Sequence, residues 1–226
     1  MEEKIVINNE DYNYLRKRMR RLEETYKQSE DPNIRNAVKM TTLEEINKRL
    51  YDFKDLFGTD FEKCKMSSLV EIDNLEEKVM SNYKVKKLQE VTEKELKKQL
   101  KLKDKPLKAF LKGYNEAIKN EDLTYYAQRI DDKLVILSKT EDEFVGAVTN
   151  VIRSNKKSQH LCPFCNKFRH GDEVIFISNV KSNQQGEYSS IGQTICEDYK
   201  MCNKDIQSKE ALNTFLSFKL DKGKSR

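Results

Sequence analysis

The chain has 226 residues, about one and a half typical domains, with 36% charged and 37% apolar side chains. That balance supports a lean packed core, and no uncharged apolar run approaches the roughly 20 residues that span a bilayer. The acidic start MEEKIVINNE has none of the features of a secretory signal, so the expectation is a cytoplasmic protein with no membrane segment. Seven glycines and three prolines leave no pair spaced for a dinucleotide turn or a phosphate loop. There is no G-x-S-x-G elbow, and the two histidines, His160 and His170, lie ten residues apart in one segment. Most nucleotide-dependent and acyl-transfer enzymes are excluded. The net charge of +5 lies wholly in residues 151–226, which suits an acidic partner surface or RNA.

The first 90 residues read as helices. Tyr12, Leu15, Met19, Leu22 and Tyr26 recur at steps of 3 and 4, the spacing of one helical face. Asp31-Pro32 starts a second helix, because Asp can cap and Pro fits a first turn whose N–H would be unpaired anyway. Its stripe is Leu43, Ile46, Leu50, Phe53 and Phe57, ended by Gly58. Thr59-x-x-Glu62 and Asp73-x-x-Glu76 look like two more capped starts, with Leu75, Val79 and Tyr83 following the second. Short loops between amphipathic helices predict an antiparallel bundle over residues 1–88.

Residues 84–108 are rich in lysine and read as a solvated basic connector, holding one short helix capped by Thr92-x-x-Glu95. Pro106 interrupts the pattern, and Leu107 to Ile118 predict another helix. Leu134–Leu137 and Phe144–Val148 then read as a hairpin, Val174–Ile177 and Gln193–Ile195 as further strands, and Ser208 to Leu220 as a closing helix. The expected fold is α + α/β: a helical bundle, then a small α/β domain over residues 89–226.

Four of the five cysteines fall in that second domain, as Cys162-Pro-Phe-Cys165 and, thirty residues on, Cys196-Glu-Asp-Tyr-Lys-Met-Cys202. Disulfides do not persist in a reducing compartment, so two close pairs supply the four thiolates of a tetrahedral zinc site. Knuckle, hairpin, then a ligand-bearing helix is the order of a treble-clef-like finger, spanning residues 160–220. With every position filled by protein, one structural zinc is expected, with no open position for catalysis. His170 is left as a surface residue, and the lone Cys64 reads as a small apolar residue of the helical half. No nucleophile, base or open metal position is visible, so the chain reads as a binding protein and not an enzyme.

Around the cysteines, Cys162-x-x-Cys165-Asn166-Lys167 and Cys196-x5-Cys202-Asn203-Lys204 resemble the FusB-type proteins that bind elongation factor G. Tyr12-Asn13-Tyr14-Leu15-Arg16, Arg21-Leu22 and Tyr26-Lys27 are similar to that family's opening helix. The resemblance implies a helical bundle followed by an α/β domain with a four-cysteine finger. It also implies binding of elongation factor G through the second domain and release of the factor from the ribosome, which rescues translation stalled by fusidic acid. The ribosome would then be only an indirect partner. Family contact positions fall on Phe215, matched here, and on Leu161, Ile191 and Thr194, where the family has an aromatic, a lysine and a tyrosine. Phe215 also lies in a helix with two apolar stripes, Ala211/Phe215/Phe218 and Leu212/Leu216, which suggests that one side chain faces a partner. The alternative function is a ribosome- or RNA-binding zinc module, for which Lys156, Lys157, Lys167 and Arg169 supply the basic residues.

Overall fold

A computed structural model describes residues 4–52, 75–100, 102–140, 143–153, 158–182 and 188–218. Chain contacts divide it into two compact units, Met1–Lys86 and Lys87–Arg226.

In the first unit, β1 (Ile5–Ile7) leads into α1 (Asn9–Gln28) and α2 (Pro32–Asp52), followed by α3 (Leu75–Met80) and β2 (Tyr83–Val85). The expected stripes carry the core: Leu15, Met19, Leu22 and Ile46 are fully buried, with Leu43, Met80 and Tyr83 beside them. Asp31 caps α2 as expected, its Oδ1 accepting from the Asn33 N–H at 2.8 Å. Arg20 ties α1 to α3 through two hydrogen bonds of 2.9 Å to Glu76. A half-buried pair, Arg49 with Asp11 at 2.7 Å, ties α2 to the start of α1. The helices are joined by a parallel pair, β1 with β2, that hydropathy did not announce, and Tyr83 lies in that strand rather than on α3. The side chains of Leu50, Phe53 and Phe57, the Thr59 helix start and Cys64 lie outside the described residues.

The second unit is built on a five-stranded sheet in the order β3-β4-β5-β8-β9, antiparallel throughout. Its strands are β3 (Tyr125–Ile130), β4 (Lys133–Lys139), β5 (Phe144–Arg153), β8 (Val174–Ser182) and β9 (Tyr188–Cys196). Between β5 and β8 the chain makes a separate hairpin, β6 (Gln159–Cys162) with β7 (Lys167–His170). The expected order of a helical half followed by a small mixed domain is present, and the detail the sequence did not carry is that the sheet is antiparallel throughout, because apolar alternation identifies strands but does not encode their direction.

Both faces of the sheet are covered, which is why Leu134-Val-Ile-Leu137 is apolar without a break. Val135 and Leu137 face α4 (Glu93–Leu100) and α5 (Asp104–Asn120), meeting Leu96, Leu100, Leu107, Phe110 and Tyr114. Leu134 and Ile136 face the other way, into a core shared with the cysteines and with α7 (Glu210–Leu216). The helix α5 lies so close to the sheet that a Cβ at Gly113 would stand 2.3 Å from the Tyr126 hydroxyl.

Two expectations for this region are corrected. The lysine-rich stretch is not a solvated connector, because Val91, Leu96 and Leu100 are buried in the sheet core while the lysines line the outer face of α4. Pro106 does not break a helix; it sits in the first turn of α5, whose opening bond runs from Leu107 N–H to Lys103 C=O at 3.0 Å. The Thr92 cap is present as a reciprocal box: Thr92 N–H donates to Glu95 Oε2 at 2.8 Å and Glu95 N–H to Thr92 Oγ1 at 3.3 Å. Among the described residues no helix is long and apolar enough to cross a membrane.

Candidate metal centre

The knuckle is made by a turn of the chain between β6 and β7. Cys162 ends β6, and Asn166 closes the turn with a left-handed φ of 55°, its N–H bonded to Cys162 C=O at 2.7 Å. Asparagine tolerates that conformation because its short polar side chain interacts locally with the backbone. Cys196 ends β9, and Asp198 caps the next helix, α6 (Tyr199–Asp205), by accepting from Lys200 N–H at 2.8 Å. The short helix α6 carries Cys202, and the closing helix, α7, begins five residues after α6 ends.

These three segments bring Cys162, Cys165, Cys196 and Cys202 into one buried cluster, with all four sulfurs within 4.8 Å of one another. Cys162 Sγ lies 3.8 Å from Cys202 Sγ, and Cys165 Sγ lies 3.6 Å from Cys196 Sγ. A regular tetrahedron of sulfurs about 2.3 Å from a zinc ion has edges of about 3.8 Å, so the spacing fits one structural zinc. Without a cation the sulfurs cannot all ionise together. Hydrogen bonds from the other three hold Cys162 well below the ordinary thiol range, and as the acceptors' partner Cys202 is driven well above it. A dication removes that conflict.

Several neighbours support the cluster in ways the sequence did not assign to them. Asn203, buried beside Cys202, uses its whole side chain to pin α6 to β3. Its Oδ1 accepts from Thr124 N–H (2.6 Å) and Tyr125 N–H (3.2 Å), and its Nδ2 donates to Tyr125 C=O (2.9 Å) and Tyr199 C=O (2.8 Å). Asp205, at the end of α6, accepts from Arg169 at 2.5 Å and pairs with Lys167 at 3.9 Å, joining the helix to the knuckle hairpin. Tyr125 is fully buried, and its hydroxyl pKa stands well above the usual value, first because of burial and then because of the Cys202 sulfur it faces. Arg169 keeps its charge: burial works against it, but the neighbouring Cys196 sulfur and the Asp205 carboxylate outweigh the cost. The one signal available in sequence was the repeated Cys-Asn-Lys, which marks the knuckle turn at Asn166 and the helix anchor at Asn203.

The partner-contact residues separate into three environments. Leu161 is exposed and faces Phe168, its register partner across β6 and β7, which is 71% exposed. Ile191 and Thr194 are half-buried in β9, Ile191 resting on the core. Phe215 is fully buried, its ring edge-on to Phe164 at 6.1 Å. The expectation that Phe215 faces a partner is therefore corrected. A double apolar stripe arises here because α7 is covered on a wide face by the sheet and the knuckle together, Leu212, Phe215 and Leu216 all being buried. Of the basic residues, Lys167 and Arg169 are turned onto Asp205, while Lys156 and Lys157 lie outside the described residues. His160 and His170 are not part of the sulfur cluster.

Two family models match the chain in order: "Elongation factor G-binding protein, N-terminal" over residues 6–57 and "FBP C-terminal treble-clef zinc-finger" over residues 117–221. Among solved structures, one described as the fusidic acid resistance protein FusC aligns over 95% of this chain and 96% of its own, with a TM-score of 0.62 and 19% identity. That likeness shows a shared fold across both units. No curated protein matches the chain. With both domain models matched in sequence order and the cysteines of the finger gathered in space, the chain belongs to the FusB-type family of elongation factor G-binding proteins.

Proposed function

We propose that this protein binds elongation factor G through its zinc-bearing unit and promotes release of the factor from the ribosome, including factor trapped by fusidic acid. The observation that carries this reading is the paired match: a factor-binding N-terminal model and a treble-clef finger in one chain, with the finger's four sulfurs at metal-site spacing. Cys162, Cys165, Cys196 and Cys202 hold one zinc, whose work is to fix the hairpin, the end of β9 and α6 as a rigid platform.

Release by binding alone needs differential affinity. The protein must bind the departing conformation of the factor more tightly than the stalled one, and can shift the equilibrium by no more than that difference. No bond is made or broken in this scheme, so the protein is not an enzyme. Leu161, with Phe168 opposite it, supplies the exposed apolar anchor. Phe215 acts only by supporting Phe164 within the knuckle. An RNA-binding role is disfavoured because Lys167 and Arg169 spend their charge on Asp205.

The test is release of elongation factor G from ribosomes held with fusidic acid, followed by sedimentation with and without the protein. Stoichiometric protein should shift the factor into the supernatant. A pellet unchanged by saturating protein contradicts the release reading, and absence of complex formation with the free factor contradicts the binding reading.

A further inference from the structure

Among the described residues of the zinc-bearing unit, the buried donors without a hydrogen-bond partner include the Tyr125 hydroxyl and the Arg169 Nε–H. Both belong to side chains that face sulfur. Tyr125 is 0% exposed within the same core cluster as all four cysteines, and its hydroxyl lies against Cys202; the Arg169 guanidinium lies against Cys196. A buried donor left unpaired is costly, and so is a buried anion left without donors. Four thiolates around one dication carry a net charge of about −2 in a water-excluded site. Each problem is the other's solution.

The placement of both side chains is over-determined. Tyr125 is held at its backbone by Asn203, the residue after Cys202, through bonds of 3.2 and 2.9 Å, and at its ring by Phe164 at 5.7 Å. Its hydroxyl thus has a fixed position relative to both ligand pairs. Arg169 stands on β7, two residues beyond Lys167, the register partner of Cys162, and its Nη2 donates to Asp205 on the Cys202 helix. One guanidinium therefore touches the knuckle strand, the end of β9 and α6.

We propose that Tyr125 and Arg169 are positioning residues of the zinc centre, the hydroxyl donating to Cys202 Sγ and the guanidinium to Cys196 Sγ, and that they set how tightly the metal is held. The inference rests on the zinc reading above. Hydrogen bonds to a metal-bound thiolate draw off part of its charge, and partners of this kind typically account for about 10- to 100-fold in metal affinity.

The experiment uses the full chain, with Tyr125→Phe and Arg169→Gln as variants and Tyr114→Phe as control. The Tyr114 hydroxyl is bonded to Gln89 C=O at 2.6 Å, on the opposite face of the sheet, so its loss removes a buried hydrogen bond without touching sulfur. Zinc affinity is read by competition with a chromophoric chelator, and thiolate electronics by the sulfur-to-cobalt charge-transfer band after Co²⁺ substitution. Tyr125→Phe should weaken zinc binding about tenfold or more and move the band to longer wavelength, while Tyr114→Phe changes neither. Arg169→Gln should shift the band in the same direction; should that variant fail to fold, Tyr125→Phe decides alone. Tyr125→Phe with the parent's affinity and band position overturns the proposal. A parent protein that takes up no zinc overturns instead the reading on which it rests.

Discussion

Phe215 and Phe164 meet edge to face, ring centroids 6.1 Å apart, with Phe164 lying between Cys162 and Cys165 in the knuckle turn. An aromatic from the closing helix thus props the loop that carries half of the metal ligands, and Tyr125 supports the same Phe164 ring at 5.7 Å.

Phe215→Ala is accordingly a stability change. Truncating a fully buried Phe costs about 3–5 kcal/mol, so thermal unfolding of the second unit should shift down by several degrees and zinc should be lost more readily. A variant with the parent's melting temperature and weakened factor binding would return Phe215 to the surface.

Phe168→Ala should behave in the opposite way. The side chain is 71% exposed, so melting is expected to stay within about a degree, while affinity for elongation factor G falls about tenfold, a loss of about 1.4 kcal/mol. Leu161→Ala should act in the same direction and less than additively, because the two side chains are cross-strand neighbours. Calorimetric titration of the factor into each variant measures both.

Asn203→Ala removes a side chain that makes four bonds to backbone groups around the Cys202 helix. Each buried group left unpaired costs about 1–3 kcal/mol, so the second unit should be strongly destabilised. Asn203→Asp keeps the acceptor but loses the donor and buries a charge, and should not rescue. Chemical denaturation followed by tyrosine fluorescence reports on it; parent-like stability in either variant would remove Asn203 as the anchor.

Thr92→Ala breaks the reciprocal cap of α4 on the surface, at a cost of about 1 kcal/mol. The expected result is a small fall in melting temperature with zinc content and factor binding unchanged, since α4 packs on the sheet face opposite the metal.

What could be read from sequence was whatever is encoded locally. The zinc ligands announce themselves because Cys162 and Cys165, and then Cys196 and Cys202, are each within one turn or helix of their mate. Stripes such as Leu15, Met19 and Leu22 identify a helical face for the same reason. Pairing at a distance left no such trace. The three-residue strands Ile5–Ile7 and Tyr83–Val85 are too short to alternate visibly, and β3 hides its inward residues behind Gln128 and Arg129. The helical stripe through Phe215 showed that a face is apolar but not what covers it. Asn203 was invisible as an anchor because its partners, Thr124 and Tyr125, lie 79 and 78 residues away.

The most direct test of the account is an isothermal titration of elongation factor G against the protein in its zinc-loaded form and after zinc removal by a chelator. The account predicts saturable one-to-one binding by the loaded protein, loss of that binding when the metal is removed, and its return when zinc is restored. Undiminished binding by the zinc-free protein, or no binding by the loaded one, would contradict it.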